Sequence, residues 1–93
     1  MMRIVVKRGA GLDVHKKTVV ATRMRVGNDE RLEWETKTFG TMTVELLGLY
    51  DWLQEWECTH VAMESTADYW KPVFNILEDA FEVLLVNAQQ VKH

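Results

Sequence analysis

Cysteine and proline are nearly absent from this 93-residue chain, which has one of each, Cys58 and Pro72. A single cysteine excludes an internal disulfide and a metal cluster built on several thiolates, so a reducing cytoplasm is the expected compartment. No apolar run approaches the roughly 20 residues that a membrane-spanning helix needs. The hydrophobic stretch within residues 1–8 is also too short for a secretion signal, and we expect neither export nor a membrane partner.

Charge of either sign is modest in total but unevenly distributed. The formal net charge of -3, taken alone, argues against a nucleic-acid binder. Residues 1–25, however, hold seven Lys or Arg and one acid, Asp13, a balance of +6, whereas residues 26–93 hold four basic and thirteen acidic residues, a balance of -9. The basic end either contacts a phosphate backbone or forms a solvated edge.

Hydrophobic periodicity predicts a β-β-β-α-β-α-β order and one α/β domain with a mixed sheet over residues 1–93. The third strand is expected to bury Leu32 and Trp34 and to keep its charged side wet. The last strand is a continuous apolar run, typical of a strand covered on both faces. The predicted strands are residues 11–15, 18–26, 31–39, 60–64 and 82–87.

Apolar residues at spacings of three and four predict the two helices. Thr41 or Thr43 is the expected cap of the first, and Pro72 stands in the first turn of the second, where a missing N–H matters least. Gly48 lowers helix stability by about 1 kcal/mol but would permit a close approach to the sheet. The inward residues are expected to be Leu46, Leu49, Tyr50, Leu53 and Trp56, then Trp70, Val73, Phe74, Leu77 and Phe81.

Two carboxylates, Asp13 and Glu64, stand near the ends of predicted strands. An aspartate within an apolar run costs several kcal/mol to desolvate unless it is paired or binds a cation. A strand that follows a helical crossover tends to lie parallel to an earlier strand, so we expect the fourth strand beside the first and the fifth beyond it. Asp13 and Glu64 then become neighbours at the edge where open sheets bind ligands.

Paired carboxylates suit a hard divalent cation such as Mg²⁺ or Mn²⁺, and with further acids such a site can support phosphoryl transfer. Each acid alone has a simpler explanation. Asp13 could bond to the basic turn, and Glu64 could lie near the positive end of the second helix. The pair in this topology favours the metal site, whereas His15 and His60, which border the acids in sequence, are interpreted as structural histidines.

Three blocks of the sequence, residues 11–16, 63–70 and 84–92, resemble the amino-terminal domain of the DEDD transposases of bacterial insertion sequences, the insertion-sequence one-ten family. The resemblance implies a ribonuclease H-like (RuvC-like) fold, truncated before its last helix, and metal-dependent DNA strand cleavage and transfer. Asp13 and Glu64 match the first two of the family's four acids. It further implies that this fragment holds half of a metal site, binds Mg²⁺ or Mn²⁺ weakly, and is inactive without the remaining acids and the serine of a second domain.

The same resemblance implies partners, namely DNA, an element-encoded guide RNA and further copies of the chain. Basic and aromatic residues near the two acids are the candidates for nucleic-acid contacts, whereas Trp70 is assigned to the core. The candidates are Lys16, Lys17, Arg23, Arg25, Tyr69 and Lys71.

Two alternatives remain open. Sugar kinases and actin-like ATPases begin with a similar order of strands, but they place a glycine and hydroxyl turn after the first aspartate, where this chain has His15-Lys16-Lys17. A non-catalytic assembly or folding module, which would bind a partner through Trp34, Trp52 or Trp56, is the other. Truncation before a covering helix would expose apolar sheet surface and favour self-association.

Overall fold

A computed structural model describes residues 6–86, and five strands and two helices lie within them. In chain order the elements are β1 (Arg8–Val14), β2 (Thr18–Val26), β3 (Leu32–Gly40), α1 (Thr43–Glu55), β4 (His60–Ser65), α2 (Trp70–Leu77) and β5 (Glu82–Val86). The sheet order is β3-β2-β1-β4-β5, with an antiparallel meander on one side and parallel β1, β4 and β5 on the other. The predicted order of elements and the placement of β4 beside β1 are confirmed.

Both helices pack on one face of the sheet, because alternate residues of the central strands point toward them. Leu12 and Val14 of β1 and Met63 of β4 are almost inaccessible to solvent there. The helices contribute their apolar stripes to the same cluster, with Leu46, Leu49 and Leu53 from α1 and Val73 and Leu77 from α2. None of the helices within residues 6–86 is long and apolar enough to cross a membrane.

The opposite face, called the open face below, is the side of the sheet that carries Asp13, Trp34 and Leu84. The expectation that Leu32 and Trp34 are buried is wrong, since they are 56% and 63% exposed on this face. The charged residues of β3 lie on the helix side instead. β5 is not covered on both faces either, because Leu84 is 63% exposed. β3 and β5 are the two edge strands of the sheet, and these residues lie on the face that the helices leave uncovered.

The first helix begins differently from the prediction. Met42, not a threonine, is its N-cap, and the Glu45 side chain accepts a hydrogen bond from the Met42 N–H at 3.3 Å. Thr41 donates its hydroxyl to the Lys16 carbonyl at 3.0 Å, which ties the start of α1 to the β1–β2 turn. Gly48 does not face the sheet, since it is exposed and a Cβ there would meet no atom within 4 Å. The expected close approach is therefore wrong.

The end of α1 is closed by a Schellman motif. Glu57 has a left-handed φ of 54°, the Cys58 N–H donates to the Leu53 carbonyl at 3.2 Å, and the Glu57 N–H donates to the Gln54 carbonyl at 2.9 Å. Glycine is the usual residue at this left-handed position, because a Cβ is unfavourable there. Phe81 was expected on α2 but lies beyond its end at Leu77, although it is buried as predicted.

Candidate functional site

Asp13 and Glu64 lie side by side on the open face. They are direct partners in the parallel register of β1 and β4. Partners in a parallel pair point to the same face, and adjacent strands are about 4.8 Å apart. Both residues are exposed and line one groove of about 390 Å³ with the small residues Gly11, Thr22 and Ala62. The topology therefore places the two acids where a ligand can reach both.

His15 continues the row of Asp13 beyond the end of β1. Its Nε2 lies 3.1 Å from Asp13 Oδ2, and its Nδ1 lies 3.1 Å from Thr66 Oγ1. The Thr66 N–H also donates to the Val14 carbonyl at 3.0 Å. The end of β1 is thus joined to the loop that follows Glu64 by a backbone hydrogen bond and by the imidazole.

The loop after β4 is held in a strained conformation. Ala67 has a φ of 49°, a left-handed value that costs a non-glycine residue on the order of 1 kcal/mol. Ser65 donates its hydroxyl to the Thr66 carbonyl at 3.0 Å. These contacts fix the path of the chain between Glu64 and α2.

The donor set fits a hydrated divalent cation. Two exposed carboxylates on neighbouring strands offer oxygen ligands, which Mg²⁺ prefers, and Mg²⁺ commonly keeps several waters when proteins supply one or two carboxylates. Over residues 6–86, no cluster of three or more His, Cys, Asp and Glu could hold a metal ion. Asp13 and Glu64 would therefore hold such an ion with water completing its shell.

Lys16 and Lys17 form the exposed turn that follows His15. The turn is closed by the His15 N–H, which donates to the Thr18 carbonyl at 2.8 Å. Neither lysine forms a salt bridge within residues 6–86. Two solvated ammonium groups beside the acid pair suit a polyanion that approaches this end of the sheet.

Arg23 does not fit the predicted role of a nucleic-acid contact. It is 6% exposed and lies on the helix face of β2, opposite to Asp13. Its guanidinium donates to the Trp52 carbonyl at 2.6 Å and to Glu55 at 3.0 Å, and it lies over the Trp52 ring at 4.4 Å. Arg25 lies over Trp56 at 4.0 Å and is more exposed. Both arginines belong to the packing of β2 against α1.

The candidates on the other side of Glu64 have mixed environments. Tyr69 is partly buried against the core, and Trp70 is partly buried in edge-to-face contact with Phe74, as expected of a packing residue. Lys71 is exposed and lies 3.6 Å from Asp68, a surface pair that water screens. Of these three residues only Lys71 is charged, and its ammonium group is exposed to a ligand.

Sequence reasoning missed the contacts of His15 and Thr66, and His60 does not lie at the acid pair. His60 opens β4, four residues before Glu64, and is thus about 13 Å from it along the strand. The signal for His15 was available, because residues two apart on a strand share a face. Asp13 with His15 and Glu64 with Thr66 are two such pairs on neighbouring chain segments.

The fold is the RuvC-like, ribonuclease H-like α/β fold, as predicted. T. thermophilus RuvC, solved in complex with a Holliday junction substrate, is similar over 91% of this chain and 68% of its own, with a TM-score of 0.57 and 14% identity. The Aquifex aeolicus member of the Ppx/GppA protein family is similar over 92% of this chain, with a TM-score of 0.54 and 11% identity. The chain spans only 37% of that protein. At these identities the likeness shows the fold alone.

The family follows from the sequence itself. A family model described as transposase, that of the DEDD transposases of the insertion-sequence one-ten family, matches residues 10–93. The chain belongs to this family, which confirms the resemblance carried by its three sequence blocks. No curated protein matches it. Asp13 and Glu64 therefore lie in a transposase-type domain with a RuvC-like fold.

Proposed function

We propose that this chain is the metal-binding part of a DNA transposase that cleaves and transfers DNA strands with Mg²⁺ or Mn²⁺. The observation that supports this most strongly is the pairing of Asp13 with Glu64 on the open face. When bound, the cation would polarise a phosphodiester and stabilise charge on the leaving oxygen. Residues 6–86 supply two carboxylates to it, so we expect this chain to bind the ion without cleaving DNA.

A metal titration followed by NMR tests the proposal. Mn²⁺ or Mg²⁺ should shift or broaden the resonances of Asp13 and Glu64 first, with a dissociation constant on the order of millimolar because only two protein ligands contribute. Asp13→Asn should abolish the response. Glu82→Gln is a matched control, since Glu82 is an exposed acid at the start of β5, where it pairs with His60. An equal reduction of binding in both variants would contradict a site at the acid pair.

DNA is the proposed substrate, and Lys16 and Lys17 are its proposed contacts, with Lys71 and Tyr69 at the edge. Replacing Lys16 and Lys17 by glutamine should weaken binding of duplex or branched DNA. It should also reduce the slope of log affinity against log salt by about 0.9 for each phosphate that the variant no longer neutralises. Lys37→Gln, an exposed lysine on β3, is the control. An unchanged salt slope in the double variant would show that Lys16 and Lys17 do not contact DNA. Guide RNA and further copies of the chain remain proposed partners by family membership.

A non-catalytic assembly role is the second candidate, and the apolar open face favours it. Trp34 and Leu84 are each 63% exposed there. If the chain responds to neither metal nor DNA but self-associates with rising concentration in sedimentation, assembly is the better description. ATP-dependent shifts at Lys16 would instead favour a nucleotide-binding role.

A further inference from the structure

We propose that His15 is a positioning residue that holds the Asp13 carboxylate in place and sets its distance from Glu64 before a cation binds. This inference rests on the proposed metal site for its functional meaning. It rests on the structure for its geometry, because the imidazole contacts Asp13 on one side and Thr66 on the other at 3.1 Å each.

The imidazole lies between polar atoms on both sides. Its Nε2 is in close contact with Asp13 Oδ2 at 3.1 Å. Its Nδ1 is hydrogen-bonded to the Thr66 hydroxyl at 3.1 Å, and the ring tautomer decides which of the two atoms donates. Asp13 Oδ2 is occupied by the contact with Nε2, and Oδ1 has no hydrogen-bond partner within residues 6–86. One carboxylate oxygen is thus restrained while the other is left for a ligand.

The contact crosses between the two chain segments that carry the acids. Asp13 belongs to β1, whereas Thr66 lies two residues after Glu64 and its N–H already donates to the Val14 carbonyl at 3.0 Å. The left-handed Ala67 follows directly. The backbone on both sides is therefore fixed, and the imidazole transfers that rigidity to the Asp13 side chain. Groups that hold a ligand's carboxylate in this way typically change metal affinity about 10- to 100-fold when they are removed.

A purely stabilising role does not explain the contact. The His15 and Asp13 side chains are 47% and 56% exposed. Ion pairs as exposed as this one contribute little to the free energy of unfolding. The effect of His15 should therefore appear at the carboxylate and in metal affinity, and not in the unfolding midpoint.

Three substitutions distinguish the contact of His15 Nε2 with Asp13 from the contact of Nδ1 with Thr66. In His15→Gln the side-chain amide reaches the place of Nε2 and can donate to Asp13. In His15→Asn the amide is one bond shorter and reaches only the place of Nδ1, near Thr66. His15→Ala removes both contacts.

The first readout is the Asp13 side chain in the metal-free chain, from three-bond couplings about its χ1. A single rotamer is expected in the wild type and in His15→Gln, and averaged couplings in His15→Asn and His15→Ala. The second readout is Mn²⁺ affinity by electron paramagnetic resonance. Alanine and asparagine should weaken it about ten-fold and glutamine much less, with urea midpoints unchanged in all three.

The outcomes distinguish this inference from the proposed function. Averaged Asp13 couplings in the wild type, or couplings that His15→Ala leaves unchanged, overturn the positioning role whatever the metal does. Alanine affinity equal to or tighter than that of the wild type also overturns it. If Mn²⁺ does not bind at Asp13 at all but the couplings behave as expected, the proposed metal site fails and the positioning of Asp13 stands.

Discussion

Replacing Arg23 by alanine is expected to destabilise the chain by about 3 kcal/mol. The side chain is 7% exposed, so its interactions are little screened by water. It donates to the Trp52 carbonyl and to Glu35, each at 2.6 Å. Hydrogen bonds that involve a charged group contribute about 1.5–3 kcal/mol. Stacking over an aromatic ring adds about 0.5–1 kcal/mol or more when it is desolvated.

The carboxylate partners limit the cost. Glu35 and Glu55 are 55% and 64% exposed, so they regain water when the guanidinium is removed and leave no buried unpaired charge. The destabilisation therefore stays at the lower end of the 3–5 kcal/mol that follows when a fully buried ion pair is broken. Arg23→Lys should fall between the wild type and alanine, because an ammonium cannot make the same forked contacts.

Urea unfolding followed by circular dichroism measures the effect. With a slope near 1 kcal/mol per molar urea, which is typical of a small domain, the midpoint should fall by about 3 M. Arg25→Ala is the matched control. Arg25 also lies over Trp56, but its side chain is 35% exposed and its pair with Glu33 lies on the surface, so we expect a destabilisation under about 1 kcal/mol. Equal destabilisation in the two variants, or weaker DNA binding at unchanged stability in Arg23→Ala, would refute the packing role.

Further predictions concern α1, the single thiol and the open face. Glu57→Gly should stabilise the chain by about 1 kcal/mol in urea unfolding, because it relieves the left-handed φ. Gly48→Ala should add about 0.5–1 kcal/mol by the same assay, because a Cβ meets no atom within 4 Å. Burial raises the pKa of Cys58, against the smaller lowering effects of Arg23 and Arg8. Its contribution to stability is therefore full below about pH 8.5 and declines as pH rises through the folded pKa, and alkylation should be slow until the chain unfolds. Trp34→Thr should reduce binding of an apolar dye with little change in stability, since Trp34 is 63% exposed. A dye signal unchanged by this substitution would exclude Trp34 from the binding surface.

The adjacency of Asp13 and Glu64 could be predicted from the sequence, because two general constraints determine it. Crossover connections make β4 parallel to β1, and the alternation of side chains puts both acids on one face. Only the pairing register was needed in addition, and the core residues that precede Glu64 on β4 restrict it. Val61 and Met63 must face the helices, so Glu64 cannot.

The covered faces of β3 and β5 could not be predicted in the same way. Alternation separates Trp34 from Glu33 and Glu35 but does not say which side the helices reach. Which face of an edge strand is covered depends on the length and position of α1, and the local sequence of the strand does not encode these. The signal for Arg23 was present, since it shares its parity with buried Val19 and Ala21. The charge of Arg23 predicts an exposed contact, whereas its position on β2 predicts burial against α1.

Because Asp13 pairs directly with Glu64, the strand register that buries the core residues also sets the position of the acid pair. If β4 slipped by one residue along β1, Met63 would turn toward water and Glu64 toward the apolar cluster. A residue inserted or deleted between Val61 and Glu64 would therefore disturb the core as well as the acid pair. The packing of the core thus sets the spacing of the two carboxylates, whatever the chemistry at the open face requires.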